Sequence, residues 1–135
     1  ASLRIAADLE RVGDYAKDIA KIARDLVSEV YFKPLEDLPA MARAVQEMLH
    51  LAVRCFVDRD LELAHQVGQR DKEVDRLWNS LREELMDYMR RDSSYVTQAT
   101  AFLLVARYLE RIGDHTVNVV ERVLYMETGK IEKLG

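Results

Sequence analysis

The chain has 135 residues, enough for one ordinary domain that buries roughly 68% of its unfolded surface. Its net charge of −4 and pI near 5.4 argue against nucleic acid as a partner. Lone Cys55 excludes an intrachain disulfide and fits a reducing, cytoplasmic setting, no apolar run approaches the roughly 20 residues of a membrane span, and no secretory signal is visible.

Four long helices account for nearly all of the chain, and only five Gly and two Pro interrupt them. The first helix is expected from about Ser2 to Val30, with an apolar stripe of Ile5, Leu9, Val12, Ala16, Ile19, Ala23, Leu26 and Val30. The chain opens directly inside this amphipathic pattern, which reads as a piece of something longer. Tyr31-Phe32-Lys33-Pro34 ends the helix, because proline disfavours a helical residue before it. The second helix is expected over about Leu38–Val57, with Asp37 as cap, Pro39 in the first turn, and Val45, Met48, Leu49, Ala52 and Phe56 on its apolar face. Asp58-Arg59-Asp60 is a turn, and Asp60 can cap the third helix, which runs to about Arg91 through Ala64, Val67, Val74, Leu77, Trp78, Leu81 and Leu85. Asp92-Ser93-Ser94 forms the next turn and cap. The fourth helix runs to about Thr128 through Phe102, Val105, Leu109, Ile112, Thr116, Val119, Val123 and Met126, and Gly129 stops it. The expected fold is all-α, an elongated antiparallel bundle whose longest helices span roughly 45 Å.

One motif occurs twice. Leu9-Glu10-Arg11-Val12-Gly13-Asp14 returns one hundred residues later as Leu109-Glu110-Arg111-Ile112-Gly113-Asp114. Glycine inside a helix costs roughly 1 kcal/mol relative to alanine. Glu10 and Asp14, like Glu110 and Asp114, stand four apart and so share a helix face, where like charges repel. A cation is the natural counterweight, and carboxylates are hard donors suited to Mg, Ca, Mn or oxidised iron. A third pair, Asp71 and Asp75, lies on the third helix. Counting outward from the turn at Asp92/Ser93 sets Asp75 level with Glu110 and Asp71 level with Asp114. Four carboxylates from neighbouring helices can therefore converge on one patch. The competing reading is a solvated acidic face neutralised by Arg70, Arg76, Arg107 and Arg111.

The residues Leu-Glu-Arg-(Val/Ile)-Gly-Asp-(Tyr/His), together with Asp71-Lys72-Glu73-Val74-Asp75 as their partner, resemble the PhoU family of phosphate-signalling regulators. The resemblance covers the whole chain. It implies two similar three-helix bundles, of which residues 1–33 are the last helix of the first and residues 34–135 the complete second. It implies a multinuclear metal cluster of iron or zinc, with Mg or Mn as alternatives, held by Asp71, Asp75, Glu110, Asp114, Glu10 and Asp14. It also implies a non-enzymatic negative regulator of phosphate uptake and phosphate-starvation signalling, working in the cytoplasm. Its implied partners are the ATP-binding subunit of the phosphate ABC transporter and the phosphate sensor histidine kinase, so it would be peripheral to membrane complexes. There are departures from the family's pattern: Glu10 and Asp14 lack a partner motif, and Asn118 stands where the first copy has Asp18.

Two rival functions compete with this one. Glu47-x-x-His50 and Glu62-x-x-His65 are the elements of a di-iron carboxylate enzyme, but pairing about Arg59 sets them roughly 9 Å apart in height, too far to share one site. A plain helical interaction domain with a bare acidic patch is the other. His115 should point away from the acidic face toward solvent or a partner, and Cys55 and Trp78 should pack in the core. The first helix, short of its usual cover, is expected to pair two chains into a homodimer, by exchange rather than by folding back.

Overall fold

A helix needs an apolar stripe to bury, and the four stripes of this chain assign its neighbours. A computed structural model describes residues 2–134. Its helices are α1 (Ser2–Leu26), α2 (Asp37–Asp58), α3 (Glu62–Arg91) and α4 (Val96–Thr128), with one 3₁₀ turn, Ser93–Tyr95, before α4. Among the described residues no strand forms. Helices α2, α3 and α4 pack mutually as a three-helix bundle, and among the described residues α1 packs along α4 alone. The core of that bundle includes Met41, Met48, Cys55, Val67, Val74, Leu85, Phe102 and Val120, all essentially sealed from solvent.

The turns follow local chemistry. Asp60 Oδ1 accepts from the Glu62 amide at 3.2 Å, and Asp92 Oδ1 accepts from the Ser94 amide at 2.9 Å. Gly129 adopts φ 72° and its amide donates to the Tyr125 carbonyl at 2.8 Å, closing α4. Asp37 is not a cap: it lies inside the first turn of α2, where its charge favours the amide end of the helix dipole.

Helix α1 ends at Leu26, four residues earlier than its periodicity predicts. The cause is the docking of Phe32 and Lys33. Phe32 stacks on Tyr95 with centroids 4.6 Å apart and meets Tyr88 edge-on at 5.0 Å. Its amide donates to Gln98 Oε1 at 3.0 Å, while Gln98 Nε2 donates to the Val30 carbonyl at 3.1 Å. Buried Lys33 pairs with Glu84 at 2.6 Å. Reaching these partners on the ends of α3 and α4 requires extended chain, so the last helical turn is given up. This linker runs over its own bundle, and in this chain α1 folds back on its own α4 rather than extending away.

The buried face of α1 is also rotated from the expected one. Ile5, Asp8, Val12, Tyr15, Ile19, Ile22 and Leu26, spaced alternately three and four apart, are the positions turned inward. Leu9, Ala16 and Ala23 are exposed. One inward position is charged: Asp8 is 7% exposed, with Oδ1 2.8 Å from His115 Nδ1 and Oδ2 3.8 Å from Arg122 Nη1. His115 is thus a contact to α1, not a free surface group. Tyr15 stacks between Tyr108, at 5.6 Å, and His115, at 5.9 Å. Residue 8 meets 115 and residue 15 meets 108, so the hundred-residue offset exchanges the partners. The two repeats are therefore related by an approximate two-fold axis across the α1–α4 contact.

Two further packing expectations are corrected. Phe56 is 53% exposed, because α2 serves α3 and α4 together and turns Leu51 and Cys55 inward instead. Trp78 is only half-buried, lying at the surface between the guanidinium groups of Arg82 and Arg107, 6.0 and 5.8 Å from its ring.

Removing the Asp8 carboxylate strands Arg122 and His115 in the α1–α4 contact. Asp8→Ala should destabilise the chain by about 1–3 kcal/mol, whereas Asp14→Ala, at an exposed position of the same helix, should stay within about 0.5 kcal/mol. Urea denaturation in chelator-treated buffer measures both; equal effects would show that Asp8 does not hold α1 in place.

Candidate functional site

The α3–α4 hairpin sets the register of the acidic residues. Both helices leave the same tight turn, so residues equally far from it lie side by side. Asp71 and Asp75 on α3 and Asp114 on α4 each place a carboxylate oxygen within 4.8 Å of the other two. Among the described residues this is the one cluster of three or more such groups close enough to hold a metal ion.

Asp71 is the deepest member, 4% exposed, and its Oδ1 is a buried oxygen with no hydrogen-bond partner among the described residues. Gly113 makes room for it. A Cβ at position 113 would lie 3.1 Å from Asp71 Oδ1 and 3.6 Å from Met48 Sδ, the first of these tighter than an ordinary contact. Gly13 in the first repeat meets nothing within 4 Å. The same glycine thus admits a carboxylate in one repeat and faces open space in the other.

Burial, followed by the charges of Asp75, Asp114, Glu110 and Glu121, raises the Asp71 carboxyl from 3.8 to about 7. Burial raises Asp75 as well. Asp114 stands exposed at the rim of the cluster; partial desolvation by the facing helix, then the charge of Asp75, raises it against the opposing charges of Arg107, His115 and Arg111. None of the three has an ion-pair partner within 4.0 Å among the described residues.

Glu110 differs. It is buried and its pKa is raised by burial, but its carboxylate is held by Arg107, one turn away on the same helix. It stands beside the triad and adds its charge to it without joining it. Glu10 and Asp14 are exposed on α1 and form no metal-sized cluster with other residues among those described. The expected convergence of carboxylates thus comes down to Asp71, Asp75 and Asp114. Two further acids escape sequence reasoning. Asp8 occupies an inward position between Ile5 and Val12, and its signal is the three-four spacing with polar residues allowed. Glu121 lies seven residues beyond Asp114, two turns along the same face, and contributes to the field on Asp71.

Neither Glu-x-x-His element is assembled into a site. Glu47 pairs with Arg70 at 2.7 Å, and His65 lies 3.7 Å from Glu132. The donor set of the triad is all oxygen, which suits hard cations. An orphaned buried oxygen, a glycine cut away beside it and three unpaired carboxylates together fit a bound metal ion.

A PhoU domain profile matches residues 38–123. The phosphate-specific transport system accessory protein PhoU homolog of Clostridium acetobutylicum is 41% identical over 129 residues, covering 96% of this chain and 59% of that protein. The PhoU homolog 2 of Thermotoga maritima is 41% identical over 133 residues, covering 98% of this chain and 57% of that protein. The crystal structure of PhoU from Pseudomonas aeruginosa superposes with a TM-score of 0.87 at 34% identity, over 93% of this chain and 61% of that one. That of the phosphate transport system regulatory protein PhoU from Streptococcus pneumoniae gives 0.81 at 27% identity, over 96% and 61%. The chain thus spans about three-fifths of the length of these relatives.

A carboxyl whose pKa is raised by folding binds its proton more tightly in the native state. The contribution of this group to stability is then largest below the unfolded value near 3.8 and falls as pH climbs toward about 7, where Asp71 ionises. Metal-free protein should lose a few kcal/mol of stability between about pH 4 and 8 from this group. Asp71→Asn should flatten that fall. Thermal denaturation across the pH range checks it, and an identical decline in the variant would remove Asp71 as its source.

Proposed function

The chain belongs to the PhoU domain family, and from that premise we propose that it is a non-enzymatic, metal-binding regulator of phosphate homeostasis. The observation that carries the metal reading is the buried, unpartnered Asp71 oxygen facing Asp75 and Asp114. Three carboxylates without cations are repulsive at neutral pH, and a multivalent cation supplies the missing charge. Iron in its oxidised form, Mn and Mg match the oxygen donors best, and zinc is the softer alternative. Metal competes with the proton on Asp71, so uptake should strengthen as pH rises through about 7. Glu110 is recruited to a larger cluster only by giving up Arg107.

The relatives are phosphate-specific transport accessory proteins, and by that kinship this chain restrains phosphate uptake and phosphate-starvation signalling. The partners proposed are the ATP-binding subunit of the phosphate ABC transporter and the phosphate sensor histidine kinase, met at the cytoplasmic face of the membrane. No helix of the described residues is long and apolar enough to cross a membrane, which agrees with a peripheral role.

Two chains are also proposed to associate. On α1, Ala6, Leu9, Gly13, Ala16, Ala20 and Ala23 form an exposed seam. One hundred residues on, Ala106, Leu109, Gly113, Thr116, Val120 and Val123 are the buried seam by which α4 holds its bundle. A surface with the pattern of an interior invites cover. Light scattering at high micromolar concentration should show a mass above 15.6 kDa; a single species at that mass would end the dimer proposal.

Metal content of protein purified without chelator tests the site. Asp71→Asn with Asp114→Asn should abolish uptake and keep helicity, and unchanged content would leave a plain interaction domain with a bare acidic patch. In cells, loss of the full-length protein should derepress phosphate-starvation genes in phosphate-rich medium. Normal repression in the deletion strain would sink the regulatory reading.

A further inference from the structure

Beyond Gly129 the chain turns back onto α3 and α4. The Leu134 amide donates to Glu121 Oε2 at 2.8 Å, and Lys133 Nζ lies 3.9 Å from Glu121 Oε1. Glu132 reaches His65 at 3.7 Å. Gly68, buried within α3, gives this segment its seat: a Cβ there would lie 2.8 Å from the Leu134 carbonyl oxygen and 3.3 Å from its Cβ. Backbone that close leaves glycine as the one residue that fits. A glycine inside a helix is otherwise a liability, so the close approach gives it a purpose.

The seat adjoins the acidic triad. His65, Gly68 and Asp71 step by three along one face of α3, so the segment ends one turn from Asp71. Glu121 lies two turns from Asp114 on the face that α4 turns to the triad. Its side chain is largely buried, 13% exposed; Oε2 accepts from the Leu134 amide, and Oε1 lies 3.9 Å from the exposed Lys133 ammonium. Glu121 is thus the next carboxylate along the site, occupied by Leu134 and Lys133 rather than by the triad.

We propose that residues 130–134 are a strap on the metal site: they hold Glu121 away from Asp71, Asp75 and Asp114, and cation loading draws Glu121 to the triad and frees the strap. This rests on the metal reading of the triad. It makes docking of the segment a report of metal occupancy, since Glu121 stands two turns, roughly 10 Å, along α4 from Asp114, and swinging its side chain to the triad takes Oε2 off the Leu134 amide. The field that Glu121 already exerts on Asp71 agrees with its nearness.

Hydrogen–deuterium exchange of the peptide containing Leu134, read alongside calorimetric titration with Mn²⁺, tests this. In the wild-type chain Mn²⁺ should speed exchange of that peptide by about tenfold or more. Glu121→Gln keeps an oxygen to accept from the Leu134 amide but is a poor cation ligand. It should hold the strap closed with or without Mn²⁺ and bind Mn²⁺ about tenfold more weakly. Gly68→Ala should release the strap without metal and bind Mn²⁺ more tightly than wild type. Wild-type chain that binds Mn²⁺ with exchange at Leu134 unchanged overturns the strap and leaves the site standing. No difference in Mn²⁺ binding between wild type and Asp71→Asn overturns the metal reading and the strap with it.

Discussion

Every element here depends on α4 having three neighbours. One helix can pack on α1, α2 and α3 together only if nearly its whole circumference is committed. The seam Ala106, Leu109, Gly113, Thr116, Val120 and Val123 is buried in the bundle. A second line, Tyr108, His115 and Arg122, receives α1. What remains is a narrow strip toward α3 that carries Glu110, Asp114 and Glu121. Loss of water is the first cause of the upward shifts of Asp71, Asp75, Glu110 and Asp114; it is deepest at Asp71 and Glu110, which are buried, and shallowest at Asp114, which stands exposed at the rim. The weakened acidity of its buried members is thus a consequence of how closely α3 and α4 pack.

That strip is electrostatically unbalanced by arrangement rather than by composition. The chain holds 20 Lys and Arg against 24 Asp and Glu, so cations are not scarce. Arg107 is committed to Glu110, Arg70 to Glu47, and Arg122 faces Asp8. No side-chain cation pairs directly with the triad among the described residues; Arg107, His115 and Arg111 act on Asp114 from a distance. With Asp71 raised to about 7, its protonated and ionised forms are both accessible at neutral pH.

The helices and turns are legible in the sequence because their signals are local. Asp60 and Asp92 occupy the predicted turns and accept the amides expected of them. The level pairing of Asp71 with Asp114 comes from counting along a hairpin, and long-range register is simple when the turn is short. The misses share a cause. Leu9 on the expected α1 stripe and Phe56 on that of α2 are exposed, because an apolar residue can belong to either of two adjacent seams and the partner decides between them. Asp8 escapes any pattern that requires a seam to be apolar throughout. Equal spacing from the turn puts Glu110 among the converging carboxylates, but an arginine three residues earlier on its own helix is a nearer partner than the next helix. The early end of α1 depends on Phe32 finding Tyr88 and Tyr95, roughly sixty residues away in sequence, and no local pattern carries that.

The two copies of the Leu-Glu-Arg-x-Gly-Asp motif separate what a motif does from what its surroundings do. Glu10 and Asp14 have the same spacing as Glu110 and Asp114, with the same glycine between them, and both pairs stand on helices. They are exposed, and no metal-sized cluster includes them among the described residues. The difference is α3, which brings Asp71 and Asp75 against one copy and does not pack on the other. Gly113 shows the same dependence: it is tight against Asp71, while Gly13 is open. The motif is therefore half of a site. Its glycine lets a second helix bring a carboxylate close to the helix backbone, and a carboxylate cluster forms only where that helix carries acids at matching spacing.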